Sequence, residues 1–472
     1  MNESPQPQTL YAAREPIFPR RVKGRFRTLK WLIMAVTLGI YYITPWIRWD
    51  RGPNMPDQAV LVDLANRRFF FFMIEIWPDE FYFIAGLLIM AGLGLFLFTS
   101  ALGRVWCGYA CPQTVWTDLF ILVERWIEGD RNARVRLWHE KWNLRKARLR
   151  LTKWTIWLLI GLATGGAWVF YFTDAPTLAR DLVTGNAHPI AYTTMGILTF
   201  TTFFFGGFAR EQICIYACPW PRIQAAMLDE DSLVVAYRAW RGEPRGKGKN
   251  RVGLGDCIDC EACVNVCPMG IDIRDGQQLE CITCALCIDA CDEVMDRIGK
   301  PRGLIGYMAL SDEVREREGK PPIPVWKHVF RPRTLLYFTL WSAIGVGLIV
   351  ALFLRSPIEI NVTPERNPIY VTLADGSIRN IYTLRIRNKH PDERTFRVSI
   401  SADGHYRLTL EGQDRLEVTV PADETRTQRL YVEAPAGTSQ ARAERSEIRI
   451  WIADTASHER VYADTVFNGR GE

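Results

Sequence analysis

Two runs of cysteines constrain this chain more than any other feature. Cys257, Cys260, Cys263 and Cys267 stand in CIDCEACVNVCP with the spacing C-x2-C-x2-C-x3-C-P. Cys281, Cys284, Cys287 and Cys291 repeat that spacing in CITCALCIDACD, with Asp292 where the proline would be. Three thiols two residues apart suit a tight loop around one corner of a cube, and the fourth ligand must come from elsewhere. In such doubled runs the fourth cysteine of each crosses to the other cube. Cys257, Cys260, Cys263 and Cys291 are therefore expected to hold one 4Fe-4S cluster, and Cys281, Cys284, Cys287 and Cys267 a second. Gly270 and Gly276 allow the sharp turns between the runs. Two zinc sites or four disulfides are the competing readings. Zinc ligands usually pair C-x2-4-C units across a longer spacer, and disulfides need an oxidising compartment, which the topology below denies to this segment.

Apolar length is the second constraint. Of 472 residues 48% are hydrophobic and 17 are Trp, a balance ordinary for a membrane protein, where Trp and Tyr collect at the interfaces. Crossing about 30 Å of hydrocarbon takes about 20 mostly apolar residues. Five stretches qualify: 29–49, 81–100, 154–172, 190–208 and 334–354. The stretch 69–77 is too short and carries Glu75, so it is expected at the interface or paired as a strand. The start of the chain lacks the short apolar core of a signal peptide and reads as a polar, basic tail. Its Arg20, Arg21, Lys23, Arg25, Arg27 and Lys30, and the crowd of Lys and Arg between 131 and 153, contrast with near-neutral segments after the first and third stretches. The positive-inside rule then puts the N-terminus in the cytoplasm and, after five spans, the C-terminus outside. All twelve cysteines, from Cys107 to Cys291, fall on the reducing side or next to it.

The net charge of +6 is modest and its clustering suits membrane orientation better than nucleic acid. Residues 131–150 alternate Val135, Leu137, Trp138 and Trp142 with basic residues, as an amphipathic helix on the anionic inner leaflet would. Residues 241–255 look like a flexible basic linker. From about Ile358 the pattern turns to period two, with seven short strands expected between 381 and 464, the signature of an immunoglobulin-like β-sandwich. The expected layout is a tail over 1–28, a membrane domain of four helices over 29–240, a linker and two-cluster domain over 241–333, a fifth span over 334–354 and the sandwich over 355–472.

The remaining cysteines form Cys107-Gly-Tyr-Ala-Cys111-Pro and Cys214-Ile-Tyr-Ala-Cys218-Pro, each just after an apolar span. A residue before proline is pushed out of the α region, and proline favours the first helical position, so Cys111 and Cys218 are expected at helix N-termini, where the dipole favours thiolate. Two soft thiolates per motif, four if the spans pack together, suit Cu(I), zinc or a further iron–sulfur centre.

GRVWCGYACPQTVWTDLF, IYACPWPRIQAAMLDEDSLVVAY, both cysteine runs and PRGLIGY together resemble the cytochrome c oxidase accessory family known as CcoG, FixG or RdxA. The resemblance covers nearly the whole chain, with a looser likeness to NapH- and NosR-type polyferredoxins through the C-x3-C-P motifs. It implies a multidomain bacterial inner-membrane protein with an inserted bacterial-ferredoxin (α+β) domain carrying two 4Fe-4S clusters. It also implies a role in assembling cbb3-type cytochrome oxidase as a cupric reductase, with Cys107, Cys111, Cys214 and Cys218 handling copper. The implied partners are membrane lipid, a cytoplasmic electron donor, a copper transporter or chaperone, and the oxidase assembly machinery. Quinone-linked electron transfer and a non-catalytic assembly scaffold are the alternatives.

Overall fold

A computed structural model describes residues 16–52, 55–248, 251–390 and 392–471. The chain divides into two compact units, one of Met1–Ile47 with Gln58–Leu348, the other of Arg48–Asp57 with Ile349–Glu472.

The first unit opens with α1 (Arg25–Ile43) and an antiparallel sheet of β1 (Val60–Asp63), β2 (Arg68–Phe71) and β3 (Ile74–Ile76). Val60 faces Phe71 and Phe69 faces Ile76, so the short apolar stretch 69–77 pairs as strands. Then come α2 (Tyr82–Leu102), α3 (Val105–Tyr109), α4 (Pro112–Ile127), α5 (Arg131–His139), α6 (Leu144–Val169), α7 (Ala175–Thr184) and α8 (Pro189–Phe204). Two π-helical turns, Phe205–Ala209 and Ile213–Ala217, lead into α9 (Trp220–Met227). The cysteine region follows, with β4 (Val234–Tyr237), α10 (Ala239–Gly242), α11 (Ala262–Val266), α12 (Leu286–Arg297) and β5 (Ile305–Met308). α13 (Leu310–Arg317), α14 (Val325–Val329) and α15 (Pro332–Leu354) complete the helices up to the second unit.

Among the described residues four segments are long and apolar enough to cross a membrane: Arg25–Trp46, Tyr82–Leu102, Pro189–Ala209 and Pro332–Leu354. Their Leu32, Ile40, Leu88, Phe200 and Phe353 are exposed, as lipid-facing side chains are. The expected span over 154–172 is helical as far as Val169, but it is the second part of α6, whose first ten residues are LRKARLRLTK. It is not one of those four, because the basic turns before Trp154 lower its mean hydropathy. α6 packs closely on α8 through Gly161 and Gly165. A Cβ on Gly161 would lie 2.9 Å from the Thr199 carbonyl oxygen, and one on Gly165 2.6 Å from that of Met195. This is small-residue packing at G-x3-G spacing.

The single amphipathic helix expected over 131–150 is two helices. α5 ends at His139, and Asn143 starts α6 by accepting a hydrogen bond from the Lys146 backbone N–H (2.8 Å). Arg134 is fully buried and pairs with Glu124 at 3.0 Å, because intramolecular ion pairing compensates its charge better than a flat helix on a leaflet would.

β4 and β5 pair antiparallel, Val234 with Met308 and Tyr237 with Ile305, and so tie together the two ends of the cysteine region. Val235, Ile273, Ile288, Met295, Leu304 and Ile305 form a buried core beside the cysteines. The stretch expected as a flexible linker is pinned where it is described. Arg241 binds Asp256 at 2.6 Å, and Arg251 donates to the carbonyls of Gly246 (2.8 Å) and Cys257 (3.0 Å). The described end of the basic tail is also docked. Arg20 N–H donates to the Asn265 carbonyl at 2.7 Å, and Asp289 of α12 accepts from the backbone N–H groups of Phe26 and Arg27 at the start of α1. A Cβ on Gly24 would collide with the Asp289 side chain.

The second unit holds β6 (Ile358–Pro364), β7 (Val371–Thr372), β8 (Ile378–Asn388), β9 (Arg394–Ser401), β10 (Arg407–Leu410), β11 (Glu417–Val420), β12 (Thr425–Ala434), a turn of helix α16 (Ser439–Arg442), β13 (Arg445–Asp454) and β14 (Arg460–Asn468). One sheet runs β10-β12-β8-β6, with β7 also on β8, and the other β11-β9-β13-β14. Every pair is antiparallel. Alternate residues turn inward, among them Tyr382, Leu384 and Ile386 from one sheet and Phe396, Val398, Ile450 and Ile452 from the other. The Tyr382 hydroxyl donates across the sandwich to the Val466 carbonyl at 2.8 Å. The expected strands are present, and β6 and β7 are additional.

Candidate metal centre

The two cysteine runs share one backbone design. Asp259 and Glu261 flank Cys260 with φ of 53° and 56°, and Thr283 and Ala285 flank Cys284 with φ of 55° and 60°. Left-handed non-glycine residues are strained and persist where the surroundings over-determine them. Alternating handedness turns successive N–H groups toward a common centre. Backbone N–H groups accordingly reach the sulfurs of Cys263 (from Val264), Cys267 (from Met269 and Ile271) and Cys281 (from Thr283).

The fourth cysteine of each run lies with the other triplet. Cys291 is within electrostatic reach of Cys257, Cys260 and Cys263, and Cys267 of Cys281 and Cys284. Cys267, Cys281, Cys284 and Cys287, together with Cys263, line one small cavity walled by Met269, Ile271, Ile273 and Ile282. Thiols around an apolar hollow are a donor set that fits a cubane. Cys260 is exposed, whereas Cys257, Cys263, Cys284 and Cys291 are buried. The first group of four thus has one edge at the surface.

The C-x3-C-P cysteines come together from two distant stretches. Cys214 is within electrostatic reach of Cys111, Cys107 and Cys218. Cys107 lies on α3, and Cys111 caps α4 with Pro112 at the first helical position. Cys214 lies in the second π-helical turn, and Cys218 ends it in extended conformation before Pro219 and α9. Burial pushes the Cys107 and Cys214 thiols up to about 12, helped by the neighbouring Cys111. These two sulfurs are held as thiols until a metal's positive charge offsets the burial. The Cys107 thiol donates to the Gln224 side-chain oxygen at 3.1 Å, and the Gln224 amide donates to the Thr99 hydroxyl at 3.2 Å. Thr114 holds the Cys107 carbonyl at 2.6 Å.

This four-thiol group abuts the second cysteine run. The Tyr109 hydroxyl donates to the Cys284 carbonyl at 3.1 Å, and a Cβ on Gly108 would lie 2.6 Å from the Ile282 oxygen and 3.0 Å from the Cys284 backbone. Arg104, buried, donates to the carbonyls of Leu279, Cys281 and Pro221. Cys107 and Cys214 pack in one apolar cluster with Cys267, Cys284 and Cys287. Among the described residues no three His, Cys, Asp or Glu side chains converge as ligands of a single metal ion do. That holds for the two runs as well as for the C-x3-C-P group. Each thiolate of a cubane binds its own iron, so such ligands stand farther apart than those around one ion.

Sequence reasoning did not single out Arg104, Gly108, Tyr109, Thr114 or Gln224. Gly108 and Tyr109 lie inside a motif already marked. Gln224, 117 residues from Cys107, carries no local signal.

A model described as a 4Fe-4S dicluster domain matches residues 209–310, one described as a 4Fe-4S binding domain matches 83–130, and one described as an IG-like fold at the C-terminal of FixG, putative oxidoreductase, matches 348–470. Protein RdxB of Cereibacter sphaeroides is 73% identical over 99% of both chains. Protein RdxA of the same organism is 63% identical over 96% of both, and the nitrogen fixation protein FixG of Rhizobium meliloti is 54% identical over 97% of this chain and 94% of its own. With its membrane-length helices and its two matched 4Fe-4S domains, the chain belongs to the RdxA, RdxB and FixG family of membrane iron–sulfur proteins.

Proposed function

We propose that this protein carries electrons from a soluble donor to Cu(II) at the C-x3-C-P thiols of a bacterial inner membrane, supplying Cu(I) for the assembly of a cbb3-type oxidase. Cys257, Cys260, Cys263 and Cys291 would hold one 4Fe-4S cluster and Cys281, Cys284, Cys287 and Cys267 the other, supplying one-electron carriers of tunable potential. The observation that carries the reading is the placement of Cys107, Cys111, Cys214 and Cys218 against the Cys281–Cys287 segment. Cys260 gives a donor an exposed approach at the opposite group. Gly108, Tyr109 and Arg104 hold the two thiol groups together. Cu(II), the substrate, takes up one electron and leaves as Cu(I), for which soft sulfur is the preferred ligand. On the positive-inside rule the thiol centres face the cytoplasm and the sandwich faces the periplasm. The test is anaerobic reduction of Cu(II) by the dithionite-reduced protein. Cys107→Ser and Cys214→Ser are expected to keep their iron and lose most of the rate, and unchanged copper binding and rate in both would remove the copper step.

A second reading is favoured by the 4Fe-4S binding domain match over 83–130, which contains Cys107 and Cys111, and by the C-x3-C-P thiols not converging as ligands of one metal ion do. On that reading the four C-x3-C-P thiols hold a third cubane. Iron analysis separates the two, with about eight irons and a separate copper for the first and about twelve irons for the second.

A further inference from the structure

A charged cleft of the first unit has no cysteine in its lining. It is a cavity of about 480 Å³ whose wall carries Lys146, Arg150, Lys153 and Arg210 against Glu124 and Glu211. Lys153 and Arg210 are bound by Glu124 at 3.2 and 2.6 Å. Among the described residues the other two have less counter-charge: Lys146 meets no carboxylate, and Arg150 shares one. Lys146 is 6% exposed, and its ammonium donates only to the carbonyls of Trp138 (3.0 Å) and Glu140 (2.5 Å). Carbonyls carry no net charge, and among the described residues Lys146 has no carboxylate partner. Arg150 meets Glu128 at 3.2 Å, but Glu128 also meets Lys153 at 2.9 Å. A buried charge without a counter-ion is costly, and an anion in the cleft would offset that cost.

The apolar part of the wall says what kind of anion. Trp138, Trp142, Trp154 and Trp157 line the cleft, with the Arg150 guanidinium 5.9 Å from the Trp138 ring and the Lys146 ammonium 5.4 Å from that of Trp142. α6 changes from basic to apolar at Lys153–Trp154, on this wall. Leu144 and Leu151, seven residues apart on the same helix, are exposed. Indoles beside basic side chains at such a boundary mark headgroup depth, and basic pockets between helices take anionic lipid headgroups.

We propose that this cleft binds the phosphate headgroup of an anionic phospholipid, with Lys146 and Arg150 on the phosphate and the indoles along the glycerol and upper acyl chain.

Native mass spectrometry of the purified full chain in detergent, titrated with phosphatidylglycerol or with phosphatidylcholine of the same acyl length, tests it. The wild-type protein is expected to retain phosphatidylglycerol, and the Lys146→Gln, Arg150→Gln double variant to lose about tenfold or more in that affinity. Arg145→Gln, at a cation 72% exposed on its side chain, is expected to lose little. Iron content reports folding, and Lys146→Gln alone carries the test if the double variant loses its iron. Equal retention of the two lipids, an unchanged affinity in the cleft variants, or the same loss in Arg145→Gln would overturn the proposal. So would inorganic phosphate alone binding as tightly as the lipid, which would leave a simple anion site.

Discussion

Gly108 lies tight against the second cysteine run. Any side chain there meets the Ile282 oxygen and the Cys284 backbone, which are main-chain atoms held by the surrounding loop and unable to swing aside. Gly108→Val should therefore push the Cys281–Cys287 segment away from α3. The expected result is a protein that keeps one cluster and loses about four irons, measured by iron and sulfide analysis with the visible absorption of the purified variant. Full iron content with unchanged spectra would show that the contact does not matter. Gln224 acts at the same scale. It accepts from the Cys107 thiol and is itself held by Thr99, so it fixes where one sulfur points.

At the scale of elements, one carboxylate joins four pieces of chain. Glu124 of α4 meets Arg134 of α5, Lys153 of α6 and Arg210 of the loop after α8. Burial pushes its carboxyl up, but Arg210, Lys153 and Arg134 outweigh that and hold it at about 2, below the usual carboxylate range. The stabilisation is therefore complete above the unfolded carboxylate range and is lost as pH falls toward 2. Glu124→Gln leaves three cations with less counter-charge and should cost about 3–5 kcal/mol, because removing one partner exposes the desolvation penalty of the others. Thermal unfolding in detergent at neutral pH measures it, and a variant as stable as the parent would mean that the cations relax to solvent. The same joint explains why residues 131–150 do not form one surface helix. Arg134 is drawn inward by Glu124, and Asn143 restarts the helix.

At the scale of the molecule, the two units depend on different forces. The β-sandwich has its own apolar core, from Ile358 to Phe467, and contains no cysteine. The cysteine region has a small core interleaved with seven of the eight thiols of the two runs, Cys260 being exposed, and sites of this kind draw folding energy from their metal. Residues 355–472 produced alone should fold to a β-rich monomer whose denaturant midpoint is indifferent to chelators. The full chain, stripped of iron, should expose its cysteine region to protease while the sandwich resists. Limited proteolysis with mass spectrometry distinguishes these outcomes, and a sandwich fragment that stays unfolded would refute the separation.

Much of this was legible from local spacing. The cysteine runs, the apolar stretches and the period-two pattern are each set within about thirty residues by ligand geometry, hydrocarbon thickness and the strand repeat. The strands from Ile381 onward and the helices around α1, α2, α8 and α15 follow from them. For the third apolar stretch, apolar content alone does not show that its helix begins as a basic segment or that it packs on α8 through Gly161 and Gly165. What only the tertiary structure decided is which distant segments meet: Cys107 with Cys214, Gly108 with Cys284, Asp289 with the start of α1, and Arg210 with Glu124 beside a tryptophan-lined cleft. Such meetings depend on packing among elements a hundred or more residues apart, and no periodicity within the chain encodes them.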